Sequence, residues 1–499
     1  MVKSRDSVND GTHPISFGLA ATSGIFWIII QTICWRASGF IGQLILAKIL
    51  VPEDFGILGL ATTITTFVSV LTDVGIDQVM MQRRPRMHLW ATQAFWISLT
   101  LSTLAAIIMA VIAPIGANLY HNEKITYLVW IIALSVPLSA LSMVPGVKLR
   151  SLMKFKFLAT YGAIEATVSQ FLIILFALSG LGAISFVLAG PLIAVTRAFI
   201  FWRVAPIPLR PLRLSKGWVQ MLRRGSGVLG SVLITSAIGQ GDYTILGLLA
   251  SAQVVGIYFF AYRIAVQPMI TLASSFNGVL RPTLIAMSGE PLRQRDAALR
   301  AAELLGALTV PLCFLQAAMA KPGLTLLFGT RWLDSIVLVQ ILSIGLPLDA
   351  ISWIAGALLA SRGQFSRSFR YQLISAPIFF ALVIPGAFLG SSIGVALGVA
   401  TYYTIHSLFY TTLVFYKEGT SINRVLSCFY VPAILSSVTV GVAYVISLAP
   451  IFHDFLLAQL LVIVLLGGFS YLLGIRYFSP LIYNDARSKV LGFLRKKPH

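Results

Sequence analysis

The chain has 499 residues, of which 57% are hydrophobic and only 11% charged, where an ordinary soluble domain carries roughly 25% charged residues. That much apolar side chain exceeds what a water-soluble core can hide, which excludes a soluble globular enzyme and points to a membrane protein. The 37 basic against 17 acidic residues leave a net charge of +20, a value whose meaning depends on where the cations lie.

A membrane-crossing helix needs about 20 mostly apolar residues, because the hydrocarbon is about 30 Å thick and a helix rises about 1.5 Å per residue. Fourteen such spans are predicted, at 24–48, 56–80, 90–113, 126–147, 158–179, 182–202, 226–250, 256–280, 300–320, 335–360, 371–389, 392–416, 427–449 and 454–475. All are read as helices, since lipid cannot satisfy unpaired backbone groups and a barrel would show short alternating strands. The predicted fold class is an all-α polytopic membrane protein.

Along the chain, the first sixteen residues, with Lys3, Asp6, Asp10 and Pro14, lack an apolar h-region, so no cleaved signal peptide is expected. With the N-terminus set in the cytoplasm, the basic clusters fall on one side. They are Arg83, Arg84 and Arg86 after the second span; Lys148, Arg150, Lys154 and Lys156 after the fourth; and Arg203 to Arg224 after the sixth. Further on come Arg293 and Arg295, then Arg362, Arg367 and Arg370, then Lys417 and Arg424, and finally the tail from Arg476 to Lys497. The positive-inside rule accounts for this asymmetry, so the charge reports topology and not nucleic-acid binding, and both termini are predicted to be cytoplasmic.

Residues 46–61, LAKILVPEDFGILGLA, recur at an offset of 200 as LGLLASAQVVGIYFFA, with Leu46, Gly56, Ile57 and Ala61 matched by Leu246, Gly256, Ile257 and Ala261. Six spans separate the copies, which predicts two parallel six-helix halves around a central cavity, a transporter signature. The expected organisation is a cytoplasmic tail at 1–23, a six-helix half at 24–202, a cytoplasmic linker at 203–225, a second half at 226–416, two further spans within 427–475 and a basic tail at 476–499. Outside corners are short. The longest, near 320–335, leaves little room for an external catalytic module.

The run LAKILVPEDFGILGLATTITTFVSVLTDVGIDQVMMQRR at 46–84, the later LFGTRWLDSIVLVQILSI at 327–344 and the twelve-plus-two helix plan together resemble the polysaccharide-transporter branch of the multidrug/oligosaccharidyl-lipid/polysaccharide superfamily. The chain is similar to Wzx-type flippases. The resemblance implies a multi-pass protein of the bacterial inner membrane, with no enzymatic step. It implies translocation of undecaprenyl-diphosphate-linked oligosaccharide for exopolysaccharide, O-antigen or capsule synthesis. It implies membrane lipids as surroundings, and polymerase and chain-length proteins of the same pathway as company. A lipid II flippase, a cation-coupled drug exporter of the same superfamily and, more remotely, a membrane glycosyltransferase or polymerase are the alternatives.

An anionic, hydrated diphosphate sugar crosses hydrocarbon only through a wet cavity that holds fixed positive charge. Charged residues inside spans are costly unless they face such a cavity or a partner. Thr32, Arg36, Gly39 and Gln43 fall on one helical stripe near the middle of the first span, and Arg263, Gln267 and Ser274 form a counterpart on the eighth. Guanidinium suits phosphate through its two parallel donors and permanent charge, so Arg36, Arg263, Gln43, Gln267 and Thr32 are the candidate substrate contacts. Locking of each Arg to a carboxylate, Asp73 or Asp242 for Arg36, is the competing reading. Arg197 is expected to snorkel to the interface. Asp73, Asp77, Glu165, Asp242 and Asp349 are candidates for gating or for coupling to H+ or Na+. The six histidines are scattered and Cys34, Cys313 and Cys428 stand alone, so no metal or other cofactor is expected.

Overall fold

The computed structural model describes residues 15–72, 87–209, 216–452 and 455–478, together with positions 76, 80 and 480, and among them it contains no strand. The helices are α1 Ile15–Ile49, α2 Pro52–Ser69, α3 Met87–Leu119, α4 Lys124–Ala140, α5 Met143–Ser151, α6 Phe155–Leu178 and α7 Ser185–Val204. They continue as α8 Lys216–Leu249, α9 Ala252–Ala286, α10 Pro291–Phe328, α11 Ser335–Gly345, α12 Asp349–Ser361, α13 Phe365–Lys417, α14 Ile422–Ser447, α15 Leu456–Val462 and α16 Gly468–Phe478, the last two joined by a π-helical turn at Ile463–Gly467.

Each predicted span has helix within it. Among the described residues nine helices are long and apolar enough to cross a membrane, or eleven when the bent pairs α4–α5 (43°) and α11–α12 (42°) each count as one. The count of fourteen is not reproduced on that measure. One reason is visible in α13, which holds two predicted spans: Gly390 and Ser391 leave helical geometry, Ser391 at φ 49°. The two arms fold back so that Phe379 meets Tyr402 with ring centroids 5.0 Å apart. Helix resumes at Lys216, inside the predicted linker.

The repeat is legible in the backbone. Leu50 N–H donates to the Leu46 carbonyl and Ala250 N–H to the Leu246 carbonyl, both at 2.8 Å, so the helices end alike at the two corners. Pro52 then opens α2 at a position whose missing N–H costs nothing. Glu53 and Asp54 follow in the first turn, where the helix dipole favours carboxylates, and Asp54 Oδ2 accepts from Val51 N–H at 3.2 Å. All four identical residue pairs of the repeat are buried in both copies.

The chain divides into two compact units, one of residues 1–50, 68–115 and 126–229, the other of residues 51–67, 116–125 and 230–499. In the first, α1 and α6 pack side by side and parallel: Gln31 lies against Gly162, Ser38 Oγ is 3.2 Å from Thr167 Oγ1, and Gln170 lies against Gly42. Helices α6 and α7 form a hairpin through Gly180 and Gly182, both at positive φ. Trp202 fixes the end of α7 by donating from Nε1 to the Leu141 carbonyl at 2.8 Å while meeting Phe95 edge to face.

In the second unit α2 crosses α9 with the backbones touching. A methyl group on Gly56 would stand 1.8 Å from the Ala252 carbonyl oxygen, and one on Gly256 would stand 1.7 Å from that of Pro52. The repeated glycines are therefore each other's neighbours, and only the missing Cβ permits the crossing. Beside it Trp332 is fully buried, stacked on Phe260 at 3.8 Å and edge to face with Phe55 at 5.2 Å. The corner near 330 that reads as a simple connection is thus an aromatic anchor.

Candidate functional site

In the first unit the parallel register of α1 on α6 carries Gln31, Ser38 and Gly42 past Gly162, Thr167 and Gln170 in order. Arg36 lies between the first two rungs, level with Glu165. Glu165 is bonded to Arg197 of α7 through both carboxylate oxygens, with Arg197 Nε donating at 3.2 Å and Nη2 completing a fork. Arg197 is therefore not a snorkelling residue: it is held back by a carboxylate on the facing helix, which offsets the cost of its charge better than a reach to the interface would. Tyr161 lies beside the pair. Thr32, Arg36 and Gln43 are all half-buried on α1. Gln43 Nε2 and Gln170 Oε1 are buried with no hydrogen-bond partner among the described residues, an arrangement that costs free energy unless a ligand or water answers it. The level thus holds Arg36 and the Arg197–Glu165 pair, with unanswered amides one to two turns further along.

The second unit holds a different kind of site. Asp242 on α8 is 3% exposed and accepts from Tyr258 Oη at 2.7 Å and from Tyr243 N–H at 2.9 Å. Asp349, at the start of α12, is 7% exposed and accepts from Ser352 Oγ at 2.6 Å, Trp353 Nε1 at 3.0 Å and Ser407 Oγ at 3.3 Å. His406 Nδ1 stands 3.9 Å from Asp349, and its ring is stacked between Tyr402 and Tyr410 at 5.4 Å on each side. The two carboxylates are bridged by aromatics in sequence. Tyr258 adjoins Tyr262 at 6.1 Å, Tyr262 lies beside Tyr403, and Tyr403 adjoins Tyr402 at 5.1 Å. Such a chain of hydroxyls, imidazole and carboxylates can hold or relay a proton, and its oxygens are hard ligands for a small cation.

Arg263 and Gln267 are exposed on α9, as is Ser274, and Arg263 lies over the Phe259 ring at 5.5 Å. The three side chains share one solvent-reachable stripe of α9, with Arg263 close to Tyr243 of α8. Asp73 and Asp77 lie outside the described residues. Sequence reasoning missed Gln31 and Gln170, which the pairing of α1 with α6 alone brings to the seam. It also missed the tyrosines around Asp242 and set His406 aside, although Tyr402, His406 and Tyr410 fall on one face at steps of four. It treated Arg362 and Arg367 as surface topology signals. Both converge instead on Glu418, Arg362 Nη1 through Oε2 and Arg367 Nη1 through Oε1 at 3.3 Å, while Arg362 also donates to Gln294 Oε1 at 2.7 Å and the Pro291 carbonyl at 2.9 Å.

Comparison with known proteins bears on this geometry. The family model described as "Polysaccharide biosynthesis protein" matches residues 45–337. The succinoglycan biosynthesis transport protein ExoT of Rhizobium meliloti is 24% identical over 401 residues, covering 80% of this chain and 81% of that protein. The lipopolysaccharide biosynthesis protein WzxC of Escherichia coli is 23% identical over 434 residues, covering 85% and 87%. Among solved structures, the lipid II flippase MurJ in an inward closed conformation superposes with a TM-score of 0.74 at 15% identity, covering 93% of this chain and 99% of that one. At that identity the likeness is one of fold.

Proposed function

The chain belongs to the polysaccharide biosynthesis protein family and is a transporter, not an enzyme, and from that premise we propose that it flips undecaprenyl-diphosphate-linked oligosaccharide repeat units from the cytoplasmic to the periplasmic leaflet of a bacterial inner membrane by alternating access. The observation that carries the reading is the polar level of the first unit. Arg36 and the Arg197–Glu165 pair lie at one level of the first unit, so guanidinium groups are brought to that level within apolar helices. A diphosphate is the anion that guanidinium recognises, since the group matches it in geometry and permanence of charge. The buried amides of Gln43 and Gln170 supply hydrogen bonds of the kind that sugar hydroxyls accept and return.

Arg263 and Gln267, outward on α9, serve a later stage of the passage. Asp242 and Asp349, with His406, form the coupling site for H+ or Na+, whose binding drives the change of conformation. The termini and the basic linker face the cytoplasm, and the polymerase and chain-length proteins of the pathway receive the product.

The test is transport itself. Purified protein in liposomes, given a fluorescent undecaprenyl-diphosphate oligosaccharide in the outer leaflet, should move the label out of reach of a membrane-impermeant quencher. Empty liposomes and an Arg36→Ala variant of normal abundance should not. Equal movement of lipid II and of the oligosaccharide lipid would assign the broader lipid II class, and movement of neither would overturn the reading.

A further inference from the structure

The Arg197–Glu165 pair does more than join two helices. We propose that the Glu165 carboxylate is a stand-in anion that occupies Arg197 while the site is empty and yields it to a substrate phosphate, so that Arg197 is a second substrate-binding cation. The proposal rests on the flippase reading above.

Three observations carry it. The Glu165 oxygens take the Nε and Nη2 edge of Arg197, the same pair of parallel donors that a phosphate uses, whereas Nη1 has no acceptor among the described residues. The side chains remain 34% and 18% exposed for Arg197 and Glu165, so the fork is reachable.

The second observation is direction. The exposed apolar residues of α7, Leu192, Val195 and Phe199, define its lipid-facing stripe, and Arg197 lies almost diametrically opposite at about 100° per residue. On α6 the stripe is Ile164, Val168, Phe171, Leu175 and Leu178, and Glu165 lies about 100° round from its centre. The pair therefore points away from the hydrocarbon.

The third is company. The register of α1 on α6 sets Arg36 level with Glu165. Glu165 leaves Arg197 neutralised and pre-positioned in the empty site, and an arriving diphosphate carries enough charge and oxygen atoms to engage it together with a guanidinium at the same level. Displacement of Glu165 moves an internal negative charge each time substrate binds.

The test measures binding of undecaprenyl diphosphate, with undecaprenol as the uncharged control, to the full-length protein in nanodiscs. Removing the competitor by Glu165→Gln should tighten diphosphate binding about three- to tenfold, and Arg197→Gln should weaken it about tenfold, the scale of one charge-assisted contact. The double variant should behave like Arg197→Gln, and undecaprenol binding should not change in any of them. Should Glu165→Gln lose folded protein, Glu165→Asp, with a carboxylate too short to fill the fork, should show the tightening instead. Wild type that prefers the diphosphate, with neither Glu165 variant binding it more tightly, overturns the stand-in role and leaves the flippase reading intact. Wild type that binds undecaprenol as well as the diphosphate overturns both.

Discussion

Replacing Gly256 with Ala puts the α2–α9 crossing to the test. The new methyl would stand 1.7 Å from the Pro52 carbonyl oxygen and 2.8 Å from the Gly56 nitrogen. Relief to the 3.0 Å below which real Cβ contacts are essentially never found requires a separation of at least about 1.3 Å at this point, and because both groups are backbone, no rotamer supplies it. Overpacking of this kind costs about 1–3 kcal/mol. If the crossing is one of two alternating arrangements, that cost becomes a population shift of roughly five- to a hundredfold toward the separated one. The assay is cross-linking of Asp54→Cys with Ala252→Cys, beside the crossing, in a background lacking the three native cysteines. Gly256→Ala and Gly56→Ala should slow the cross-link by that factor. Gly59→Ala, whose methyl meets only the movable Phe259 ring at 3.0 Å, should barely change it. Wild-type cross-linking in Gly256→Ala protein of normal abundance would refute the argument that backbone contact holds this corner shut.

Replacement of Arg36 should lower transport in the order Arg, Lys, Ala, with the Ala variant binding undecaprenyl diphosphate roughly ten- to a hundredfold more weakly, as expected for the loss of one charge-assisted contact; unchanged binding at normal abundance would remove Arg36 from the site. Asp349→Asn retains the volume but not the charge, its single amide oxygen able to take the Trp353 Nε1 bond while its NH2 donates to the Ser352 hydroxyl instead of accepting from it, so it should uncouple transport from an imposed ion gradient while leaving substrate binding within about twofold of wild type; gradient-driven transport at the wild-type rate would sink the coupling role. Glu418→Gln leaves Arg362 and Arg367 facing each other without their shared carboxylate, and should destabilise the purified protein by about 3 kcal/mol, with Arg362→Gln restoring part of the loss in a thermal-shift assay; full stability of the single variant would show that the cluster bears no load.

The membrane character and the helix positions were legible because the bilayer imposes one length and one polarity on every span, and the repeat was legible because Gly56 and Gly256 obey a steric rule that no other residue satisfies. Arg36 stands out in the sequence for a similar reason, since a guanidinium in the middle of an apolar run is costly unless it faces a cavity or a partner. What could not be read were pairings across helices. Nothing in the spacing of Glu165 and Arg197 says that α6 and α7 present them to each other, since they are separated by 32 positions and a glycine-rich turn. The same holds for Arg362 and Glu418, 56 positions apart, where a count of basic residues does not reveal the clamp on one carboxylate. Helix ends were misjudged where polarity and structure part company: the stretch after Lys216 is polar enough to read as linker, yet it is helical.

The placement of charge suggests how binding and conformational change are kept from short-circuiting each other. In the first unit Arg197 and Glu165 are partly exposed, which suits an anion that must enter and leave. In the second the carboxylates are almost wholly enclosed, each already supplied with donors from tyrosine, tryptophan or serine, which suits a small cation or proton taken up without a large ligand. A ligand shifts a conformational equilibrium only by the difference in its affinity for the two states. A carboxylate that neutralises Arg197 in the empty site lowers the electrostatic penalty of closure without substrate, whereas a bound diphosphate changes that balance by its own charge. On the proposed roles, occupancy of the first site and protonation or cation binding in the second enter as separate free energies. On this argument the double variant Glu165→Gln with Asp349→Asn should bind substrate more tightly than wild type yet transport it more slowly than either single variant, because the first change deepens the bound state and the second removes the means of leaving it. Binding and transport measured on the same liposome preparation would decide it, and a double variant that transports as fast as Asp349→Asn alone would show that the two sites do not contribute separately.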